Sequence, residues 1–480
     1  MSPSLWVLIE KFSQQVVWLV LFAILAPILG PKPYGLYAIV MVFIGFCEFV
    51  TVEAAAEALM GMDPLEPLHL RTATTCNLAV AVFAGLVVFL VAPWLGQFFG
   101  EAELTPIFRA LSILPALSAL TSAPVAVLKR QLHFRPLAIR STLGLTIGGA
   151  AGVALAISGA GVWSLVAQIL IQRLAEVVIL WVTAGRNAGA GLSWSRPHYE
   201  DLRVYAAHVF VSRSMVFLGG QVPRIIIGYF LGPVDLGLFT LASRFPDTLA
   251  QVIISPRAIV ARIDLRRFRF DEAGRAPAFY RLVRDIALVG FPVSLGAAAT
   301  IPLLISVWLD ERWQGAILAC QLMCLSAAPQ VVFYASSAVL MALNFPREEA
   351  RIAVVQNVTN GLAVLAAVPF GLNAVCLVMV LRLFLLMPYC ALTVSRVCGI
   401  PTRSITAATG SLFLFAVTMA AAVLALSPAL VRTVGDSVAL ASLVLIGGVI
   451  YAGLVAVFTP SEARRLLSRL PFASSVGVKP

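Results

Sequence analysis

Several arginines lie inside long apolar segments of this 480-residue chain, and four of them are the candidate binding residues. An ionised side chain at the depth of a lipid bilayer costs a few kcal/mol on insertion scales, so each such residue is expected to face protein or water. A guanidinium is planar and can donate two parallel hydrogen bonds to phosphate oxygens. We therefore predict that these residues bind an anion with phosphate oxygens, and the four are Arg173, Arg213, Arg224 and Arg382.

Arg213 and Arg224 are eleven residues apart, which places both on one face of a helix about 16 Å apart along its axis. No acid lies between them, and the apolar segment around Arg382 also lacks a carboxylate. A set of arginines without local acids favours the lining of a wet cavity. The alternative is pairing with acids of the second apolar segment, which are Glu48, Glu53 and Glu57.

Arg173 differs because Glu176 follows it by three residues, and Gln168 and Gln172 lie beside it. Residues three apart on a helix are neighbours, so a local Arg173–Glu176 ion pair is the structural alternative to substrate binding.

Glu53 and Glu57 share a helix face at a spacing of four. Two neighbouring carboxylates in an apolar segment could relay a proton or bind a coupling cation. The alternatives are a salt bridge or exposure to cytoplasmic water.

The composition predicts an all-α integral membrane protein. Apolar residues make up 60% of the chain, charged residues only 12%, and the mean hydropathy is +0.95. Segments of about 20 apolar residues, long enough to cross the bilayer as helices, recur throughout. We predict about 14 transmembrane helices, at 6–29, 34–60, 73–97, 104–128, 137–157, 162–183, 204–230, 235–256, 286–308, 315–342, 352–369, 372–394, 405–427 and 437–459.

The basic residues give these segments an orientation. Most of the 34 Lys and Arg residues lie at the two ends and in every second turn, whereas Lys32, Arg312 and Arg432 alone fall in the other turns. Cytoplasmic loops of membrane proteins carry an excess of Lys and Arg, so both termini are predicted to be cytoplasmic. The net charge of +11 is then a topology signal and does not indicate nucleic-acid binding.

A nonapeptide is repeated: residues 29–37 read LGPKPYGLY and residues 231–239 read LGPVDLGLF. Six predicted spans separate the copies, so both lie on the same side of the membrane, as in parallel repeats. We predict two six-helix lobes related by pseudo-two-fold symmetry, followed by two further spans. The predicted parts are an N-lobe at 1–200, a C-lobe at 201–400, two additional spans at 401–460 and a cytoplasmic tail at 461–480.

Small residues and cysteines add two expectations. Gly144, Gly148 and Gly152 recur every four residues and predict a groove that another helix approaches closely. Cys320 and Cys324 are one helical turn apart without a nearby His or acid, so we read them as small apolar fillers. No cofactor and no metal site are predicted.

Four stretches resemble one family: LGPKPYGLYAIV, HLRTATTCNL, LGPVDLGLFTLASRF and DERWQGAILACQLMCLSA. From about residue 20 to 400 the chain resembles Wzx-type polysaccharide flippases, in the polysaccharide transport branch of the multidrug/oligosaccharidyl-lipid/polysaccharide exporter superfamily. The resemblance implies fourteen helices, a central cavity between lobes, and translocation of an undecaprenyl-pyrophosphate-linked oligosaccharide across the bacterial inner membrane by alternating access.

The expected partners are this lipid-linked oligosaccharide and membrane lipids, with a polysaccharide polymerase and a chain-length regulator as further candidates. Such a protein is a transporter and not an enzyme. It would supply the lipid-linked oligosaccharide from which exopolysaccharide or lipopolysaccharide is made. One alternative is a cation-coupled multidrug exporter of the same superfamily, which would need carboxylates in its cavity. Another is a membrane-embedded glycan polymerase or glycosyltransferase, which the short outer turns disfavour. No phosphate-binding Gly-x-x-x-x-Gly-Lys-Ser/Thr motif is present, which disfavours an ATP-driven pump.

Overall fold

A computed structural model describes residues 3–49, 59, 66–184, 191–268, 271–401 and 403–459, and in this part of the chain all regular structure is helical. The α-helices, in chain order, are α1 Pro3–Leu29, α2 Pro31–Glu48, α3 Pro67–Phe98, α4 Leu104–Leu111, α5 Leu114–Arg130, α6 Phe134–Ile157, α7 Val162–Ala184, α8 Arg196–Phe230, α9 Gly232–Leu249, α10 Ser255–Arg266, α11 Glu272–Trp308, α12 Ala316–Leu325, α13 Ala327–Ala342, α14 Pro346–Ala367, α15 Leu372–Cys398, α16 Arg403–Val434 and α17 Asp436–Phe458. A π-helical stretch, Ala250–Ile254, joins α9 to α10, and 3-10 turns lie at Glu311–Trp313 and Val368–Phe370.

Ten helical stretches of the described residues are long and apolar enough to cross a membrane, with α4 and α5 counted together as one of them. The pair α12–α13, bent by 42°, adds an eleventh if it forms one span. These coincide with eleven of the predicted segments, and the other three overlap α2, α8 and α9. The all-helical, multi-pass membrane fold is thus confirmed, and the count of fourteen stays a prediction.

The repeated nonapeptide forms the same turn twice. Gly30 and Gly232 have φ of 74° and 84°, in the left-handed region that glycine tolerates best. Each is followed by a proline near the start of the next helix, where the missing N–H is not needed. The Gly-Pro dipeptide therefore ends one helix and starts another in both copies.

The chain folds into two compact units. Unit 1 comprises residues 1–240 and 360–372, and unit 2 comprises 241–359 and 373–480. The lobes predicted from the repeat, with boundaries at 200 and 400, remain a prediction.

Unit 2 contains an extended apolar core. Phe279, Ile286, Val331 and Leu412 are fully buried there, where α11 packs against α13 and α16. Large apolar side chains also lie on the outside of the helices, and Leu385 is 78% exposed. A helix in a bilayer packs apolar side chains against its neighbours and also exposes apolar side chains to lipid. Polar groups are expected only where the helix faces water or other protein groups.

Candidate functional site

A close approach between α6 and α7 positions the first group of charges. A Cβ added to Gly148 would lie 2.5 Å from the backbone oxygen of Gln168, and one added to Gly144 would lie 2.5 Å from Glu176 Cγ. Gly152 likewise packs against Gln168, at 2.9 Å from its Cβ. The predicted groove along the glycines is confirmed, and α7 lies in it.

Arg173 on α7 is held between two carboxylates. Its Nη1 donates to Glu176 Oε2 at 3.0 Å, and its Nε lies 3.2 Å from Oε1 of Glu48 on α2. The Arg173 side chain is 28% exposed, Glu48 12% and Glu176 4%. The local Arg173–Glu176 pair is confirmed. The sequence suggests Glu48 as a possible partner of the other three arginines, whereas the structure pairs it with Arg173.

Neutral side chains donate further hydrogen bonds to the two carboxylates, Glu48 and Glu176. Gln172 Nε2 donates to Glu176 Oε1 at 2.9 Å, and the hydroxyl of Ser118 on α5 donates to Glu48 Oε1. A buried carboxylate is tolerated when its oxygens are paired and hydrogen-bonded. The arrangement is that of a helix-joining clamp, which we call the Arg173 clamp: Arg173, Glu48 and Glu176.

Sequence reasoning missed Arg140 of α6, which interacts electrostatically with Glu176, Arg173 and Glu10. Its Nε is buried and makes no hydrogen bond within the described residues. Glu10 of α1 accepts from the Ser141 hydroxyl at 2.9 Å. Arg140 precedes Gly144 by four residues, so the glycine spacing that revealed the α6–α7 groove could also have identified it.

Arg382 on α15 has a different environment. Its Nη1 donates to the backbone oxygen of Gln356 at 2.8 Å and to Thr359 Oγ1 at 3.3 Å, both on α14. Its Nε is buried without a hydrogen-bond partner in the part of the chain that the structure describes. No carboxylate of the described residues forms an ion pair with it. The guanidinium is thus held by neutral acceptors and keeps unused donors.

Arg224 and Arg213 both lie on α8, which runs continuously from Arg196 to Phe230. Arg224 is half-buried, and its Nη1 donates to Gln221 Oε1 at 2.8 Å. The side chain of Arg213 lies outside the described part of the structure, as do Glu53 and Glu57 entirely. The predicted roles of these three residues therefore stay predictions.

The two copies of the repeated corner contact each other within unit 1. A Cβ on Gly35 would lie 1.7 Å from the backbone oxygen of Pro233, and one on Gly237 would lie 2.0 Å from that of Pro31. Each glycine thus makes room for the proline carbonyl of the other copy. This reciprocity explains why the glycine of the motif is present in both copies.

Sequence comparison finds related proteins. A family described as "Polysaccharide biosynthesis protein" matches residues 24–318. The succinoglycan biosynthesis transport protein ExoT of Rhizobium meliloti (strain 1021) is 24% identical over 308 residues, which are 64% of this chain and 62% of ExoT. The match therefore spans less than two thirds of that relative. The teichuronic acid biosynthesis protein TuaB of Bacillus subtilis (strain 168) is 22% identical over 346 residues, 71% of each chain.

The fold is similar to that of a solved structure of the lipid II flippase MurJ in an inward closed conformation. The TM-score is 0.76, with 95% of this chain and 99% of MurJ covered, at 11% sequence identity. At this identity the likeness concerns the fold alone.

Proposed function

Because the chain belongs to the family of polysaccharide biosynthesis proteins, we propose that it flips a polyprenyl-pyrophosphate-linked oligosaccharide across the bacterial cytoplasmic (inner) membrane. The oligosaccharide then serves the synthesis of a surface polysaccharide or exopolysaccharide. The names of ExoT and TuaB, and the fold shared with MurJ, support this proposal. The hydrophilic headgroup passes along polar side chains while the polyprenyl tail stays in lipid, and no covalent bond changes.

The observation that carries the proposal is the environment of Arg382. This guanidinium has only neutral partners among the described residues, and its Nε is buried without one. Arg382 is half-buried, and an anion that accepts from its buried Nε would stabilise the guanidinium. A pyrophosphate carries the charge and the oxygens to do so, and Arg binds phosphate through two parallel hydrogen bonds.

Arg213 and Arg224 are the second element of the proposal. Their spacing of eleven residues predicts a common helix face with positive charge at two depths, so that a moving pyrophosphate would meet a second site before it leaves the first. Arg173 is the least suited of the four, because Glu48 and Glu176 already neutralise it. We propose that it chiefly holds α2 and α7 together and contacts the substrate only at the edge of the path.

The remaining assignments follow from this proposal. Glu53 and Glu57 couple flipping to a proton or cation. The termini are cytoplasmic, and a polysaccharide polymerase and a chain-length regulator act on the product. The protein itself acts as a transporter and not as an enzyme.

The test is a headgroup-accessibility assay in proteoliposomes that contain a labelled polyprenyl-pyrophosphate oligosaccharide. The triple variant R213Q/R224Q/R382Q is expected to flip the lipid at least tenfold more slowly, since a hydrogen bond to a charged group contributes about 1.5–3 kcal/mol. R351Q is the matched control, because Arg351 is an exposed arginine at the start of α14.

Two results would count against the proposal in different ways. Unchanged flipping by the triple variant would remove the arginines from the path and leave the transport function standing. Absence of flipping by the wild-type protein, with export of a cationic drug in the same vesicles, would favour the multidrug exporter.

A further inference from the structure

A group of three potential metal ligands lies in unit 1, apart from the arginines. Glu66 immediately precedes α3, His69 is in the first turn of α3, and His198 is in the first turn of α8. One ligand atom from each residue lies within 4.8 Å of the other two. The two histidines are 129 positions apart in sequence, so the fold brings the group together and no local sequence motif predicts it.

Direct contacts already join the three residues. His198 Nε2 lies 3.1 Å from Glu66 Oε2, and the backbone N–H of Glu66 donates to His69 Nδ1 at 3.2 Å. The imidazole rings are 4.3 Å apart between centroids, at 70° to each other. His69 is only 7% exposed, whereas the Glu66 side chain is 58% exposed. The group is therefore buried at His69 and accessible from solvent at Glu66.

The surroundings orient His198 for coordination. Ser195 Oγ lies 2.7 Å from His198 Nδ1, and when the serine oxygen accepts a proton from Nδ1 the Nε2 lone pair is available to an ion held beside Glu66. Metal-bound histidines usually have such a partner on the other ring nitrogen. Nearby, Thr75 Oγ1 donates to the Ser193 carbonyl at 3.0 Å and accepts from the Ser193 N–H at 3.1 Å. These bonds fix the segment before α8 against α3.

We propose that Glu66, His69 and His198 bind a divalent transition-metal ion, with zinc as the best match. Two imidazoles and one carboxylate are a ligand set that Zn²⁺ accepts, with water in the remaining position. Without an ion, His69 Nδ1 accepts the Glu66 N–H in a capping box at the start of α3, and a proton shared by His198 and Glu66 accounts for the other contact. A bound ion would take the Nδ1 lone pair of His69 in place of that hydrogen bond and so join all three side chains. The ion would fasten the start of α3 to the start of α8, both cytoplasmic in the predicted topology. This inference does not depend on the transport function.

Zinc titration of the purified full-length protein in detergent, against a chromophoric chelator, tests the proposal. We expect one Zn²⁺ per chain, with affinity reduced at least tenfold in H69Q, H198Q and E66Q. The S195A variant should bind about tenfold more weakly, as is typical when a partner of a metal-bound histidine is lost. Zinc should raise the thermal unfolding midpoint of the wild type and not that of H198Q.

Matched controls separate this site from other zinc-binding groups. H133Q removes an exposed histidine, and C76S removes a half-buried thiol of α3, so both should bind zinc as the wild type does. The unfolding midpoint in EDTA shows whether each variant is folded. Equal affinity in H69Q, H198Q and the wild type would overturn the proposal. So would a wild type that binds no zinc and is stabilised only by acidification, which would leave a protonated His198–Glu66 ion pair.

Discussion

Arg173 and Arg382 are both arginines in the middle of apolar helices, yet their partners differ. Arg173 contacts Glu176 at 3.0 Å and Glu48 at 3.2 Å, whereas Arg382 contacts a backbone carbonyl and a threonine hydroxyl. The first guanidinium has its compensating charge built into the protein. The second has no compensating carboxylate within the described residues. The difference shows that Arg173 has a structural role, and it supports the proposal that Arg382 binds an anion.

The largest expected effect is loss of the Arg173 clamp. In R173M, Glu48 and Glu176 remain buried without their cation, and breaking a buried pair in this way costs about 3–5 kcal/mol. The thermal unfolding midpoint in detergent should therefore fall clearly, whereas R382M should leave it close to the wild type.

The triple variant R173M/E48Q/E176Q is the control, because it removes all three charges together. Neutral residues of similar volume can replace a buried ion pair at little cost, so much of the lost stability should return. If R173M unfolded at the wild-type midpoint, the clamp would have no structural role.

The second prediction concerns a substitution that gives Arg382 an acidic neighbour like that of Arg173. In T359D, a carboxylate lies beside Arg382, as Glu176 lies beside Arg173. We expect at least tenfold slower flipping of the lipid-linked oligosaccharide, since the new acid competes with the pyrophosphate. Stability should change by no more than about 1 kcal/mol, because ion pairing and desolvation offset each other.

T359N tests whether the charge itself is responsible, since asparagine has the shape of aspartate without its charge. It should flip the lipid nearly as well as the wild type. Equal loss of flipping in T359N and T359D would point to the threonine hydroxyl and away from an anion at Arg382.

The features of the molecule that depend on local residue spacing were predictable from the sequence. Apolar length predicted the helices, the spacing of four predicted the glycine groove, and the spacing of three indicated the Arg173–Glu176 pair as the alternative to substrate binding. The resemblance to polysaccharide flippases is confirmed by the family match over residues 24–318. Partners from distant helices were not predictable, because helical spacing says nothing of which helices become neighbours. Glu48 lies 125 positions from Arg173, and the Arg382 contacts require α14 beside α15.

A third expected effect tests how the Arg173 clamp is positioned. In G144A, the new methyl group would lie 2.5 Å from Glu176 Cγ and 3.2 Å from the Gln172 carbonyl. Overpacking of this kind costs about 1–3 kcal/mol, so the unfolding midpoint should fall by less than in R173M. G448A is the control, because a Cβ there meets no atom within 4 Å and alanine favours a helix. A midpoint for G144A as high as that for G448A would mean that α6 does not position Glu176.

The smallest expected effect concerns an exposed cation. Lys32 lies 2.9 Å from Glu103 and 3.3 Å from Glu101 and is 42% exposed. The hydrogen bond to Glu103 raises the pKa of the Lys32 ammonium above its ordinary value of 10.5, against the lowering effect of partial burial. Solvent screens such a pair, so K32M should destabilise the protein by less than about 1 kcal/mol at pH 7.

The stability difference between the wild type and K32M depends on pH in a predictable direction. A raised pKa in the folded state means that the contribution of Lys32 is complete below pH 10.5 and disappears as the pH rises through the raised value. The unfolding midpoints of the wild type and K32M should therefore converge in strong alkali, while R173M stays below both, because an arginine remains charged there. If K32M were as unstable as R173M at pH 7, the greater stabilisation by the Arg173 ion pair could not be attributed to its burial.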